Sequence, residues 1–128
     1  MVIEELVFWG TFCMMTEISF TALRKLIQKR NLNLMGHTSL WMFPIYAVGL
    51  TYGFDLVMHL IDNTTARYMS YPLWIWLVEI CVGVPAFWCG IKIWDYTYLP
   101  KWLHWRGIIS FAHYPLWMGF GILVEAIK

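Results

Sequence analysis

The sequence predicts an all-α membrane protein, a bundle of four transmembrane helices in one integral membrane domain spanning residues 1–128. Three observations carry this. Hydrophobic residues make up 60% of the chain and charged residues only 13%, about half the roughly one-quarter share that covers a soluble domain. The apolar residues form long runs rather than scattered core positions, which points to a bilayer. The polar stretches between the runs are short, and two of them are rich in Lys and Arg. Net charge is +1, so there is no basic surface for nucleic acid.

The first span is expected over residues 3–23, broken only by Glu17 and small polar side chains. Arg24, Lys25, Lys29 and Arg30 follow closely and end it at a headgroup region. Asn31, Asn33 and Gly36 mark the connection, and Thr38 or Ser39 is placed to cap the next helix. The second span is expected over 39–61, with Pro44 near its start. Gly49 and Gly53 are spaced for close helix packing inside the protomer. Asp55 and His59 share a face one turn apart, and a pair without a third ligand makes no metal site. Asp62–Arg67 reads as a short polar turn.

The third span is expected over 71–91 and carries Glu79 deep inside an apolar run. Residues 91–106 mix Trp94, Tyr96, Tyr98, Trp102 and Trp105 with Lys92, Lys101, His104 and Arg106, an amphipathic aromatic connection suited to the water–lipid boundary. The fourth span is expected over 107–127, with His113, Pro115 and Glu125. Lys and Arg crowd the first and third connections, which places both in the cytoplasm and both termini outside. Glu4 and Glu5 stand where a secretory signal carries cations, so no cleaved signal is expected. Cys13, Cys81 and Cys89 all lie in apolar runs, and free thiols are expected.

Counting about 1.5 Å per residue from each span's centre puts Glu79 within about 3 Å of the midplane, and Glu17 and His113 about 6 Å toward the cytoplasm. Pro44, Pro85 and Pro115 fall in the same inner half. Each lacks the N–H that would reach the carbonyl four residues back, and a freed carbonyl at membrane depth must be met by protein or water. Together these predict a polar inner-leaflet cavity around Glu17, Glu79 and His113. The plainer readings are a protonated Glu79 bonded to a neighbouring helix, a Glu17 bonded to Thr21, and a packed His113. Asp95, just past a helix end, can pair with Lys92, Lys101 or Arg106 and would place a fixed acid at the cavity mouth.

Gly10-Thr-Phe-Cys, Glu17-Ile-Ser-Phe-Thr-Ala, Gly36-His-Thr-Ser-Leu-Trp41, Pro44-Ile-Tyr46, Gly49, Trp74, Glu79, Gly83, Trp94-Asp95-Tyr96, Gly107 and Trp117 occur in one order along nearly the whole chain. This resembles the transmembrane protein 229 family and its bacterial relatives, which are labelled ABC-transporter type IV permeases. The resemblance implies a permease-like membrane subunit in which Glu17, Tyr46, Glu79, Asp95 and Tyr96 belong to the family pattern. No phosphate-binding loop of the G-x-x-x-x-G-K-[ST] type occurs, and no cofactor or metal is expected. The expected partners are membrane lipid and, for a transporter this small, a second copy or a larger membrane complex. Three functions compete: a small transporter with Glu79 and Glu17 as proton or cation sites, an assembly partner whose carboxylates are hydrogen-bonding glue, and a membrane enzyme acting on a lipid or isoprenoid head. No nucleophile or metal motif supports the enzyme.

Overall fold

The computed structural model describes residues 2–128. The chain is mostly helical and has four helices: α1 (Val2–Lys29), a second made of α2 (Met42–Val48), a π-helical turn (Gly49–Gly53) and α3 (Phe54–Leu60), then α4 (Thr64–Trp88) and α5 (Tyr114–Ile127). Two short strands, β1 (His104–Trp105) and β2 (Ile109–Ser110), pair antiparallel before α5. The fold divides into two compact units, residues 1–55 and 56–128.

In the first unit, α1 continues six residues beyond the expected end at 23. The segment 24–29 is made of good helix formers, and its cations suit the negative end of the helix dipole. Trp9, Cys13, Glu17 and Thr21 repeat at four-residue intervals along one face, and all but the half-buried Glu17 are buried. Gly10 on that face receives the Phe43 ring: a Cβ there would come within 2.7 Å of it. The connection folds back along α1. Thr21 Oγ1 accepts the His37 N–H at 2.8 Å, and a Cβ on Gly36 would fall 1.8 Å from the Ile18 carbonyl oxygen.

The next helix therefore begins at Met42, not 39. Ser39 takes the Trp41 N–H on its hydroxyl (3.3 Å) and shapes the approach instead of capping. Pro44 then falls in the first turn, where its missing N–H has no intrahelical partner to lose. The Leu40 carbonyl, expected to be freed, accepts from the Phe43 N–H at 3.2 Å. Gly49 and Gly53 do not pack against a neighbour, since a Cβ on either meets nothing within 4 Å. They bound the π turn instead, where glycine lowers the cost of an irregular backbone.

In the second unit, α4 starts at Thr64, seven residues before the expected 71. Asn63 caps it, its side chain accepting the Ala66 N–H at 2.9 Å, a role that reading 62–67 as a turn overlooked. Pro72 consequently lies inside the helix, as does Pro85. Pro115 does not: it sits in the first turn of α5, and the Phe111 carbonyl accepts from the Tyr114 N–H. Of the three expected backbone breaks, only Pro85 stands in a helix interior, past the first turn, and Pro72 joins it.

α5 is shorter than its expected span. Gly107–Ser110 belongs to the hairpin, Phe111–His113 is a 3-10 turn, and the helix proper begins at Tyr114. Gly121 lets α5 approach α4, because a Cβ there would come within 2.5 Å of the Tyr71 ring. At the same end Glu125 accepts from Arg67 Nε (2.9 Å), from Arg67 Nη2 (2.5 Å) and from the Tyr71 hydroxyl (2.5 Å). Arg67 Nη1 donates to the Ile61 carbonyl at 2.8 Å, so one guanidinium ties the end of α3 to α4 and α5.

Two helices, α1 and α4, are long and apolar enough to cross a membrane. Only 28% of the most apolar window of α1 and 17% of that of α4 is buried. A core helix would hide that surface from water. Here Phe8, Met15, Leu23, Leu73, Leu77 and Phe87 face outward.

Candidate functional site

Glu79 is the centre of the most developed polar cluster. It occupies the inward face of α4, one turn before Gly83, and is 7% exposed. Gly83 makes room for the following loop: a Cβ there would lie 2.7 Å from Ile108 Cγ2 and 3.2 Å from the Trp94 ring. The Trp94 indole donates to the Ile108 carbonyl (2.8 Å), and the Tyr96 N–H donates to the Gly107 carbonyl (3.0 Å). Gly107, at φ +70°, admits Asp95 and Thr97, since a Cβ would meet Thr97 Cγ2 at 2.8 Å and Asp95 Oδ1 at 3.0 Å. These contacts clasp residues 94–97 onto the hairpin and deliver the Tyr96 hydroxyl to Glu79 Oε1 at 3.0 Å.

The second carboxyl oxygen, Glu79 Oε2, is buried and has no hydrogen-bond partner among the described residues. A buried polar atom left unmet costs about 1–3 kcal/mol, so this oxygen is open to a proton, a water or a ligand. The cluster extends through rings. Tyr96 lies 5.3 Å from His113, and His113 lies 6.0 Å from Trp117. His113 Nδ1 is paired with the hydroxyl of Ser110, which is fully buried. The indole nitrogens of Trp76 and Trp117 are buried without a hydrogen-bond partner. His113 was expected within a transmembrane helix, but it closes the 3-10 turn that leads into α5.

Asp95 does not join Glu79. Its Oδ1 accepts the Thr97 N–H at 2.9 Å and its Oδ2 pairs with Lys92 at 3.1 Å. Burial pushes the Asp95 carboxyl up, but the hydrogen bonds from Thr97 and the Lys92 ammonium outweigh it and hold the group below its usual range. Asp95 is thus a brace for the turn, and of the three cations named for it the structure chooses Lys92.

In the first unit the Tyr46 phenol and the Thr38 hydroxyl face Glu17. Glu17 Oε2 and Thr38 Oγ1 are each buried without closing a hydrogen bond. The expected bond from Thr21 to Glu17 is not made; Thr21 serves Ile18 and His37 instead. The sequence-derived candidates therefore fall into two groups. Glu17 and Tyr46 lie in the first unit, and Glu79, Tyr96 and His113 in the second. No group of three or more His, Cys, Asp or Glu side chains is arranged to hold a metal among the described residues.

Sequence reading missed the Arg67–Tyr71–Glu125 cluster. Its signal was a lone cation at one end of an apolar run and a lone acid at the end of another, which must meet or remain costly in a low-dielectric setting. No protein-family model and no solved structure matches the chain.

Proposed function

We propose that the protein is a four-span integral membrane protein and a permease-like or small-transporter subunit, in which Glu79 is the proton- or cation-binding carboxylate. The resemblance to the transmembrane protein 229 family and its permease-labelled relatives supports the same reading. The observation that carries it is the burial of Glu79 in a long apolar helix with one carboxyl oxygen unmet. An ionisable group at such depth is a functional-site candidate by default, because its burial is costly. Glu17, with Tyr46 beside it, is a second candidate within the first unit.

The membrane reading draws on the outward apolar faces of α1 and α4. Residues 42–60 are enough for about 28 Å of helix, close to the roughly 30 Å of a bilayer core. α5 alone reaches about 21 Å, so the fourth crossing needs residues 107–113 as well. Irregular backbone at membrane depth is tolerated when protein covers it, and Gly107, Ile108, Ile109 and Ser110 are all buried. The cation-rich connections 24–41 and 89–106 then lie in the cytoplasm and both termini outside.

The test is flux. Full-length protein in liposomes should pass protons or monovalent cations, and Glu79→Gln should abolish the flux while preserving the unfolding temperature within a few degrees. Undiminished flux in Glu79→Gln would sink the assignment. Loss of oligomer stability with flux intact would favour the assembly-partner reading.

A further inference from the structure

We infer that the cleft between the end of α4 and the Trp105–Ile108 turn is a binding site for the headgroup of an anionic phospholipid. The cleft has a volume of about 120 Å³. Gly83, Ala86, Ile91 and Ile108 give it an apolar lining, and Lys92, Asp95 and Arg106 line it as well. Two cations thus stand against one acid. The acid is already engaged, Oδ1 with the Thr97 N–H and Oδ2 with Lys92. Arg106 has no carboxylate or hydrogen-bond partner among the described residues and rests against the Trp105 ring, 5.2 Å from its centroid.

The turn that carries Arg106 is fixed by its backbone, and the guanidinium rests on the Trp105 ring. Arg106 is at φ +53°, the Ile108 N–H donates to the Trp105 carbonyl at 2.9 Å, and the Gly107 N–H donates to His104 Nδ1 at 2.9 Å. A planar fork of N–H donors beside a second cation suits a phosphate diester. The cleft admits a headgroup but not acyl chains, which have an outward apolar track in Phe87 and Trp88. Its cations, Lys92 and Arg106, belong to the connection that the membrane reading places at the cytoplasmic boundary, where lipid phosphates lie, while its apolar side runs inward along α4. The excess positive charge selects anionic over zwitterionic lipid, by about fivefold per cation. This inference rests on the membrane reading but not on transport.

The experiment places the full-length protein in nanodiscs of phosphatidylcholine doped with phosphatidylglycerol and counts, by native mass spectrometry, the lipids retained on release. Phosphatidylglycerol should be retained over phosphatidylcholine several-fold. The preference should fall to near unity in Lys92→Gln/Arg106→Asn, asparagine being chosen because it accepts positive φ. Lys101→Gln, an exposed cation that does not line the cleft, should keep it. Unfolding in phosphatidylcholine alone serves as the fold check. If the double variant melts early, Lys92→Gln alone carries the comparison and should halve the preference or more. Equal retention of the two lipids, full preference in the cleft variants, equal loss in Lys101→Gln, or displacement of the lipid by millimolar inorganic phosphate would overturn the inference. A chain that fails to enter nanodiscs would overturn the membrane reading with it, whereas entry without headgroup preference would overturn this inference alone.

Discussion

Glu79 and Gly83 on α4, Trp94 and Tyr96 in the connection and Gly107 in the hairpin come from three stretches of sequence, yet each is explained by the others. Gly107 has both a positive φ and no space for a Cβ. Gly107→Ala should therefore cost about 1–3 kcal/mol, through backbone strain and the clash with Thr97 and Asp95, and thermal unfolding in detergent would show it. Tyr96→Phe removes the only hydroxyl seen on Glu79 Oε1 while keeping the ring against His113. It should lower the unfolding temperature by several degrees, because Oε1 is then buried unmet, and shift the concentration dependence of flux. Asp95 makes a pH prediction. Its folded pKa lies below the ordinary 3.8. Its contribution is therefore complete above that value and disappears as pH falls through the lower folded pKa. Asp95→Asn should destabilise equally at pH 7 and pH 5, and the gap to wild type should close only in strong acid. The burial of Glu79 was legible because a carboxylate in an apolar run has no inexpensive place to go. The Tyr96 contact could be anticipated only by resemblance, since nothing local in Trp94-Asp95-Tyr96 says which ring turns inward.

Among the elements, the helices themselves were legible and their ends were not. Apolar length reveals where a helix runs, whereas its ends depend on a few competing groups. α1 overran because its basic tail forms helix well and suits the dipole. α4 began early because Asn63 is a good cap, and Pro72 does not stop a helix whose other contacts hold it. The start of α5 was misplaced because the Gly107 turn and the buried Ile109–Ser110 strand satisfy the backbone without a helix. These shifts change the reading of Pro44 and Pro115, which open helices rather than breaking them. At the α4–α5 seam, Arg67 and Glu125 are only 12% and 13% exposed. Arg67→Met should destabilise clearly, because it leaves Glu125 buried with its charge unpaired. Arg67→Met with Glu125→Gln should recover much of the loss, a double-mutant cycle that chemical denaturation can read. Lys92→Gln at the exposed 92–95 pair should have a much smaller effect.

For the whole molecule, the balance of inside and outside decides the account. Trp88, Trp102, Leu40 and Ile27 face outward together with the apolar sides of α1 and α4, and exposed apolar surface of this extent is what an interaction or membrane-facing surface carries. In a bilayer the same surface is the solvated one, and Trp102 and Trp105 become interfacial anchors. The two long apolar helices, α1 and α4, were legible from composition because apolar length is a one-dimensional property. The partition of the polar residues into a Glu17–Tyr46 group and a Glu79–Tyr96–His113 group was not, because helix rotation and the path of the connections are set by tertiary contacts. The most direct check is a topology map by labelling single cysteines, introduced into a cysteine-free background, with a membrane-impermeant maleimide on sealed, right-side-out vesicles. The account predicts that cysteines at positions 63 and 128 react from outside, that those at 33 and 98 react only after the vesicles are opened, and that one at 77 reacts in neither case. Labelling of 33 or 98 from outside together with 63, or ready labelling at 77, would contradict a four-span protein that buries Glu79.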